Sequence, residues 1–183
     1  QEHYHGLYAY ISQVSLKPGE KFPAIIEKPL TKKLDFMSVF VQEPKTIGPK
    51  LPGLEEVSLP TFGKGEEFEI PPDPKTKFPG KPKISLLKAL SEQLPAQDNT
   101  LFSRNIANRL WWLLMGRGQV HPLDLMHADN PASHPAALDL LSSELVAHQF
   151  DLRYLLKEIA LSEAYQRSSA ADFPLDSVPQ QSY

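Results

Sequence analysis

A chain of 183 residues has room for one domain of ordinary size, or for one domain with an extended arm. Hydrophobic residues make up 41%, enough for a real core, and the 22% of charged residues leave a formal net charge of -3 with no polybasic footprint, which disfavours a nucleic-acid partner. No apolar run approaches the roughly 20 residues of a membrane span, and the absence of cysteine excludes a disulfide, a thiolate metal site or a covalent c-type haem attachment within the chain.

Proline divides the chain. Twelve of the 18 prolines fall between Pro18 and Pro82, and only five lie after Pro95. Proline removes a backbone donor and fixes φ, so the middle of the chain is denied long helices while the C-terminal half is not. Tyr4, Leu7, Tyr8, Ile11 and Val14 recur at helical spacing and predict a short amphipathic helix, ended at Lys17-Pro18-Gly19. Leu34 to Val41, rich in Phe, Met and Val, reads as a strand, with weaker candidates at Val57 to Leu59 and Glu67 to Ile70. Pro71-Pro72-Asp73-Pro74 and the lysine-bearing stretch from Lys75 to Lys83 read as an extended linker.

Four leucine-rich stripes follow. Ser85 is placed to cap a helix carrying Leu86, Leu87, Leu90 and Leu94, stopped by Pro95. Asp98 or Asn99 caps the next, with Phe102, Ile106, Leu110 and Leu113 on one side and Gly116 at its C-cap. Ser133 is the expected N-cap of a third, with Pro135 in its first turn and Leu138, Leu141, Leu145 and Val146 facing inward. Asp151 caps the last, along which Leu152, Leu155, Leu156 and Ile159 repeat. A single amphipathic helix is marginal in water, so the stripes need partners. The expected fold is therefore mainly α, with a C-terminal bundle of about four helices preceded by an irregular proline-rich segment with a few short strands. The expected organisation is an upstream helical end (1–19), a proline-rich segment with linker (20–83), a helical module (84–169) and a polar, frayed tail (170–183).

Several stretches resemble a known family. Asn108-Arg109-Leu110-Trp111 running into Gly116-Arg117-Gly118 is similar to the hallmark of domain of unknown function 1553 (DUF1553). So are Asp129-Asn130-Pro131, then Ser133-His134-Pro135, Leu138-Asp139-Leu140-Leu141 and the closing run from Ser162 through Tyr165 to Ser168. His3 to Ala9 resembles the Tyr-rich end of a second family, DUF1549. Such domains occur together in large exported, planctomycete-type bacterial proteins that often carry c-type cytochrome domains. The resemblance thus implies a fragment of a larger exported or periplasmic protein, whose partner is the preceding domain of the same polypeptide. It implies no cofactor in this chain, and leaves a c-type haem to a segment upstream of Gln1.

Candidate chemistry concentrates in one loop. His121, Asp124, His127, Asp129 and His134 fall within 14 residues and are good zinc or iron ligand types, although their spacing matches no strong metal template. Turn and cap roles are the ordinary use of Asp, Asn and Ser in such a loop. Arg109 is expected to pair with Glu144, Asp139 or Glu158, and Arg104 to be a solvated surface residue. Of Trp111 and Trp112, which point about 100° apart on a helix, at least one belongs in the core. His3 and His5 beside Tyr4 and Tyr8, and Met37, Met115 and Met126, are haem neighbours or ligands only if the upstream segment binds haem; otherwise the methionines are core. No serine-hydrolase, dinucleotide or phosphate-loop motif is present. Three readings follow: a helical interaction module, a metal-dependent or acid/base enzyme fragment using the His121–His134 loop, and an electron-transfer partner of a haem carried upstream.

Overall fold

A computed structural model describes residues 1–17 and 24–168. The break expected at Pro18-Gly19 and the tail from residue 170 lie outside the described residues. The chain divides into two compact units, Gln1–Leu94 and the part from Pro95 onward.

The first unit opens with α1 (Glu2–Ile11) and contains three two-stranded antiparallel pairs. These are β1 (Val14–Leu16) with β2 (Ile25–Glu27), β3 (Leu34–Met37) with β4 (Pro44–Ile47), and β5 (Phe68–Ile70) with β6 (Lys81–Pro82). In the middle pair Leu34 faces Ile47 and Met37 faces Pro44. Proline opens β4 and sits within β6, positions tolerated because a two-stranded pair has only edges. The strand expected over Leu34 to Val41 stops at Met37, where Ser38 accepts from Gln42 N–H (2.7 Å) and donates to Glu43 C=O (3.0 Å). Val39, Phe40 and Val41 therefore form the tip of a turn. Val57 to Leu59 is not a strand, but Val57 and Leu59 pack on the unit's core of Tyr10, Leu51 and Leu86.

Helix α2 (Leu86–Gln93) closes this unit. Ser85 Oγ accepts from Lys88 N–H at 3.0 Å, as its cap role requires. The Glu27 carboxylate at the end of β2 accepts from Ser85 Oγ–H (2.6 Å) and Leu87 N–H (2.9 Å), placing negative charge where the helix dipole favours it. Tyr10 on α1 donates its hydroxyl to Gln93 on α2.

The second unit contains α3 (Thr100–Met115), α4 (Pro135–Ala147), α5 (Leu152–Leu161) and the four-residue α6 (Glu163–Gln166). The mainly-α expectation with a four-helix C-terminal bundle is thus overturned. The described residues form an α/β mixture of six helices and three small sheets. The helix at Leu86 packs into the Tyr10–Leu51–Leu86 core instead of the C-terminal module. A leucine stripe specifies that a face is buried, not which surface covers it.

Three full helices share the second core, built on Ala107, Val120, Leu138, Leu145, Leu155 and Ile159. Asn99 caps α3 by accepting from Phe102 N–H (3.3 Å), and Gly116 takes the left-handed conformation (φ 77°) that ends it. Asp151 caps α5, accepting from Arg153 and Tyr154 N–H. Ile106 and Leu110 of the expected stripe pack against this core, but the most buried face of α3 is rotated from it. Ser103, Ala107 and Asn108 are buried, whereas Leu113 is 61% exposed. The small residues let α4 approach closely, and Ser142 Oγ on α4 donates to Ser103 Oγ at 2.8 Å inside the contact.

Leu138→Ala should therefore lower stability by about 2–5 kcal/mol through the cavity it leaves, while Leu113→Ala should stay within about 0.5 kcal/mol; urea denaturation followed by circular dichroism reads both. Acid should weaken the first unit. Glu56 is held below its ordinary carboxyl value of 4.5 by the Lys33 ammonium (2.6 Å) and by Gly48 N–H (3.1 Å), with burial opposing. Because the folded-state value is the lower one, its contribution is present above about 4.5 and is lost as pH falls through the folded value. Glu56→Gln should flatten that part of the acid titration.

Candidate functional site

The loop from Gly116 to His134 leaves α3 and returns to α4, and two amide side chains hold it. Asn108, fully buried on α3, donates Nδ2–H to Val120 C=O (2.8 Å) and accepts Val120 N–H on Oδ1 (2.9 Å). One carboxamide thus satisfies both backbone groups of a buried residue that has no strand partner. Gln119, also buried, accepts on Oε1 from Ser133 Oγ–H (2.8 Å) and His134 N–H (3.1 Å), and its own carbonyl accepts Ser133 N–H (2.7 Å). The start and end of the loop are therefore stitched together.

Gly118 sits where these segments are closest. A Cβ there would lie 2.6 Å from Val120 O, 2.7 Å from Leu123 Cδ2 and 3.0 Å from Asn108 Oδ1. Any side chain would force apart the contact that Asn108 makes. Gly116 has open space around it and is required instead for its positive φ.

The expected N-cap shifts by one residue. His134 takes that position on α4, with Pro135 following, while the Ser133 hydroxyl is committed to Gln119. His134 Nδ1 lies 3.2 Å from the same Gln119 oxygen. Asn130 bridges the loop's interior, donating Nδ2–H to Leu125 C=O (2.8 Å) and, more loosely, to His121 C=O (3.4 Å). His127 Nδ1 accepts Asp129 N–H at 3.2 Å, while the Asp129 side chain is 98% exposed. Asp124 accepts from Arg109 Nη2–H at 2.8 Å, and Arg109 Nε–H also donates to Asn105 (2.9 Å). His121, Asp124, His127, Asp129 and His134 are thus not drawn to one point, and no group of three or more His, Asp or Glu among the described residues is arranged to hold a metal ion.

Other side chains settle differently from expectation. Arg109 pairs with Asp124 rather than with Glu144, Asp139 or Glu158, and Arg104 bridges to Asp139 on α4 instead of standing in solvent. Trp111 packs against the core, and Trp112 remains 40% exposed. Met126 joins the core, but Met37 is exposed. His5 stacks on Phe36 at 4.0 Å. Tyr165 lies on α6, partly exposed. His148, at the α4 C-cap, stacks on Tyr154 (3.6 Å), whose hydroxyl is held above its ordinary value by desolvation and by its bond to Glu144 (3.1 Å).

What the loop does enclose is an open cleft of about 340 Å³ lined by Arg117, Gln119, His121, Asn130, Pro131 and Ser133. Gln119 escaped the sequence reading. An isolated glutamine in a loop signals nothing by composition, and only its position between the close-packed Gly118 and the clamped Val120 makes it a hub.

A family model, PSD1, described as a protein of unknown function (DUF1553), matches residues 88–182, just over half of the chain. The chain belongs to this family. No curated protein and no solved structure matches it. The PSD1 (DUF1553) segment contains α3 to α6 and the whole of the loop, so both walls of the cleft lie within it.

In this PSD1 segment, Asn108→Ala should cost roughly 1–3 kcal/mol for each Val120 backbone group left buried and unpaired. Hydrogen exchange should show the Val120 amide losing protection first; unchanged protection there would refute the clamp.

Proposed function

We propose that this PSD1-family chain is an interaction module that docks against the domain preceding it in a larger polypeptide. The observation that carries this reading is the inverted burial of α1. Its packed residues are Gly6, Ala9 and Tyr10, whereas Tyr4 (68% exposed), Leu7, Tyr8 and Ile11 face solvent. Gly6 sits against the backbone of Lys50, whose N–H donates to Gly6 C=O at 3.1 Å, so the small side of the helix is committed inward. Beside the start of α1, the turn after β3 presents Met37, Val39, Phe40 (84% exposed) and Val41, with Val39 N–H donating to Gln1 Oε1 at 3.2 Å.

Burying a large apolar side chain is worth about 1.5–3 kcal/mol, so covering several of these residues would contribute substantially to docking. Patches of this kind mark interaction surfaces more often than scattered single residues do. The resemblance of His3 to Ala9 to the end of DUF1549 supports the preceding domain as the occupant, since α1 is continuous with it in sequence. It also supports an exported, cytochrome-associated parent. No helix among the described residues is long and apolar enough to cross a membrane.

Hydroxyl-radical footprinting of the full-length protein tests the reading. Tyr4, Tyr8 and Phe40 should react several-fold more slowly than Tyr165, which is 41% exposed. Rates at Tyr4 and Phe40 equal to or above that of Tyr165 would defeat it.

A further inference from the structure

The apolar surface around α1 is not flat. Between the first turn of α1 and the β3–β4 turn lies a recess of about 350 Å³, lined by Gln1 and Glu2 on one side and by Phe36, Phe40, Val41 and Lys45 on the other. Its walls are held without an occupant. Phe36 stacks on His5 at 4.0 Å, and Val39 N–H donates to Gln1 Oε1 at 3.2 Å, tying the turn to the start of α1. The turn is closed by Gln42 N–H on Ser38 C=O (2.7 Å) and Ser38 N–H on Glu43 C=O (3.0 Å). Gln42 takes the left-handed conformation (φ 52°), which residues other than glycine adopt uncommonly. A turn fixed in this way presents Phe40 at 84% exposure, the highest of any large apolar side chain among the described residues.

The charges of the lining are already matched. Glu2 and Lys45 are bonded to each other at 2.8 Å, and the Gln1 side-chain oxygen is bonded to Val39 N–H. His3 adds a ring to the α1 wall. Aromatic and aliphatic walls beside a neutralised ion pair suit an apolar side chain, since its entry demands no new charged partner.

We propose that the recess receives an apolar side chain from the stretch of polypeptide immediately ahead of Gln1, with Phe40 as its principal contact. This rests on the docking reading, in which a domain precedes this chain, and deepens it by naming the occupant. Gln1 is itself a wall of the recess, and an extended chain advances about 3.3–3.6 Å per residue, so the first residues ahead of Gln1 reach the recess directly. Tethering also sets their effective concentration there on the order of millimolar or above, which a separate partner lacks. An exposed aromatic on a rigid turn is the kind of residue that anchors an interface.

Photo-crosslinking of the full-length protein tests the occupant. With Phe40→p-benzoylphenylalanine, cross-links should map to the segment of about ten residues before Gln1, the stretch able to double back onto the recess. Their yield should be several-fold above that of the same replacement at Leu140, which is 59% exposed on α4. Phe40→Ala, at a position too exposed to be needed for folding, should raise protease cleavage just ahead of Gln1 several-fold, whereas Leu140→Ala should leave it unchanged. Cross-links to other parts of the preceding domain, to a second copy or to a different protein overturn the proposal. So do a yield no higher than at Leu140 and unchanged cleavage after Phe40→Ala. Radical labelling of Tyr4, Tyr8 and Phe40 separates the two readings: slow labelling keeps docking while the named occupant falls, and fast labelling removes both.

Discussion

A carboxamide on one helix stands in for an absent strand. Asn108 gives Val120 both the donor and the acceptor that a sheet neighbour would supply, in a place where no strand runs. Without it, two backbone groups of a buried residue would be stripped of water and left unpaired, at a cost comparable to a sizeable fraction of a small domain's net stability. Because the clamp is bidentate, it fixes the orientation of the loop as well as its distance from α3. Gly118 next to it and Gln119 between them then have their surroundings set, and the cleft follows from these constraints.

The same helix face shows why small residues matter here. Ser103 and Ala107 lie on the side of α3 that meets α4, and Ser142 answers from the other helix with a hydroxyl bond at 2.8 Å. Larger side chains would hold the helices apart and open the dry space filled by Leu138 and Leu145. The arrangement also accounts for Leu113, whose side of α3 points away from that approach. On the exposed flank, pairs such as Arg109–Asp124 contribute little energy by themselves. This one restrains Asp124, while the Asp129 side chain stays in solvent.

In the first unit, tethers replace a large sheet. Glu27 ties the end of β2 to the start of α2, and Tyr10 reaches Gln93 from α1. Such short two-stranded pairs are weak alone. They persist because the chain between them packs on a common core through Leu51, Val57 and Leu59. This economy leaves the large side chains of α1 and the turn after β3 outside.

Much of the local structure was legible from residues alone. Ser85, Asn99, Asp151 and Gly116 act as caps because capping depends on a side chain and its own next few backbone groups. The helices at 100–115, 135–147 and 152–161 follow from periodicity for the same local reason. The family resemblance, carried by Asn108 through Gly118 and Asn130 through Pro135, was also readable and is matched by the family model over residues 88–182. Tertiary structure alone decided the rest. It assigned Leu86 to the first unit, turned Leu113 and the Tyr4–Leu7–Tyr8–Ile11 stripe outward, moved the α4 cap from Ser133 to His134, and made Gln119 a hub. A periodic stripe says that some face is apolar, but which face is covered depends on where small residues permit close approach and on which distant backbone groups need partners. Those demands arise only between segments far apart in sequence, as between Asn108 and Val120, and no window along the chain contains them.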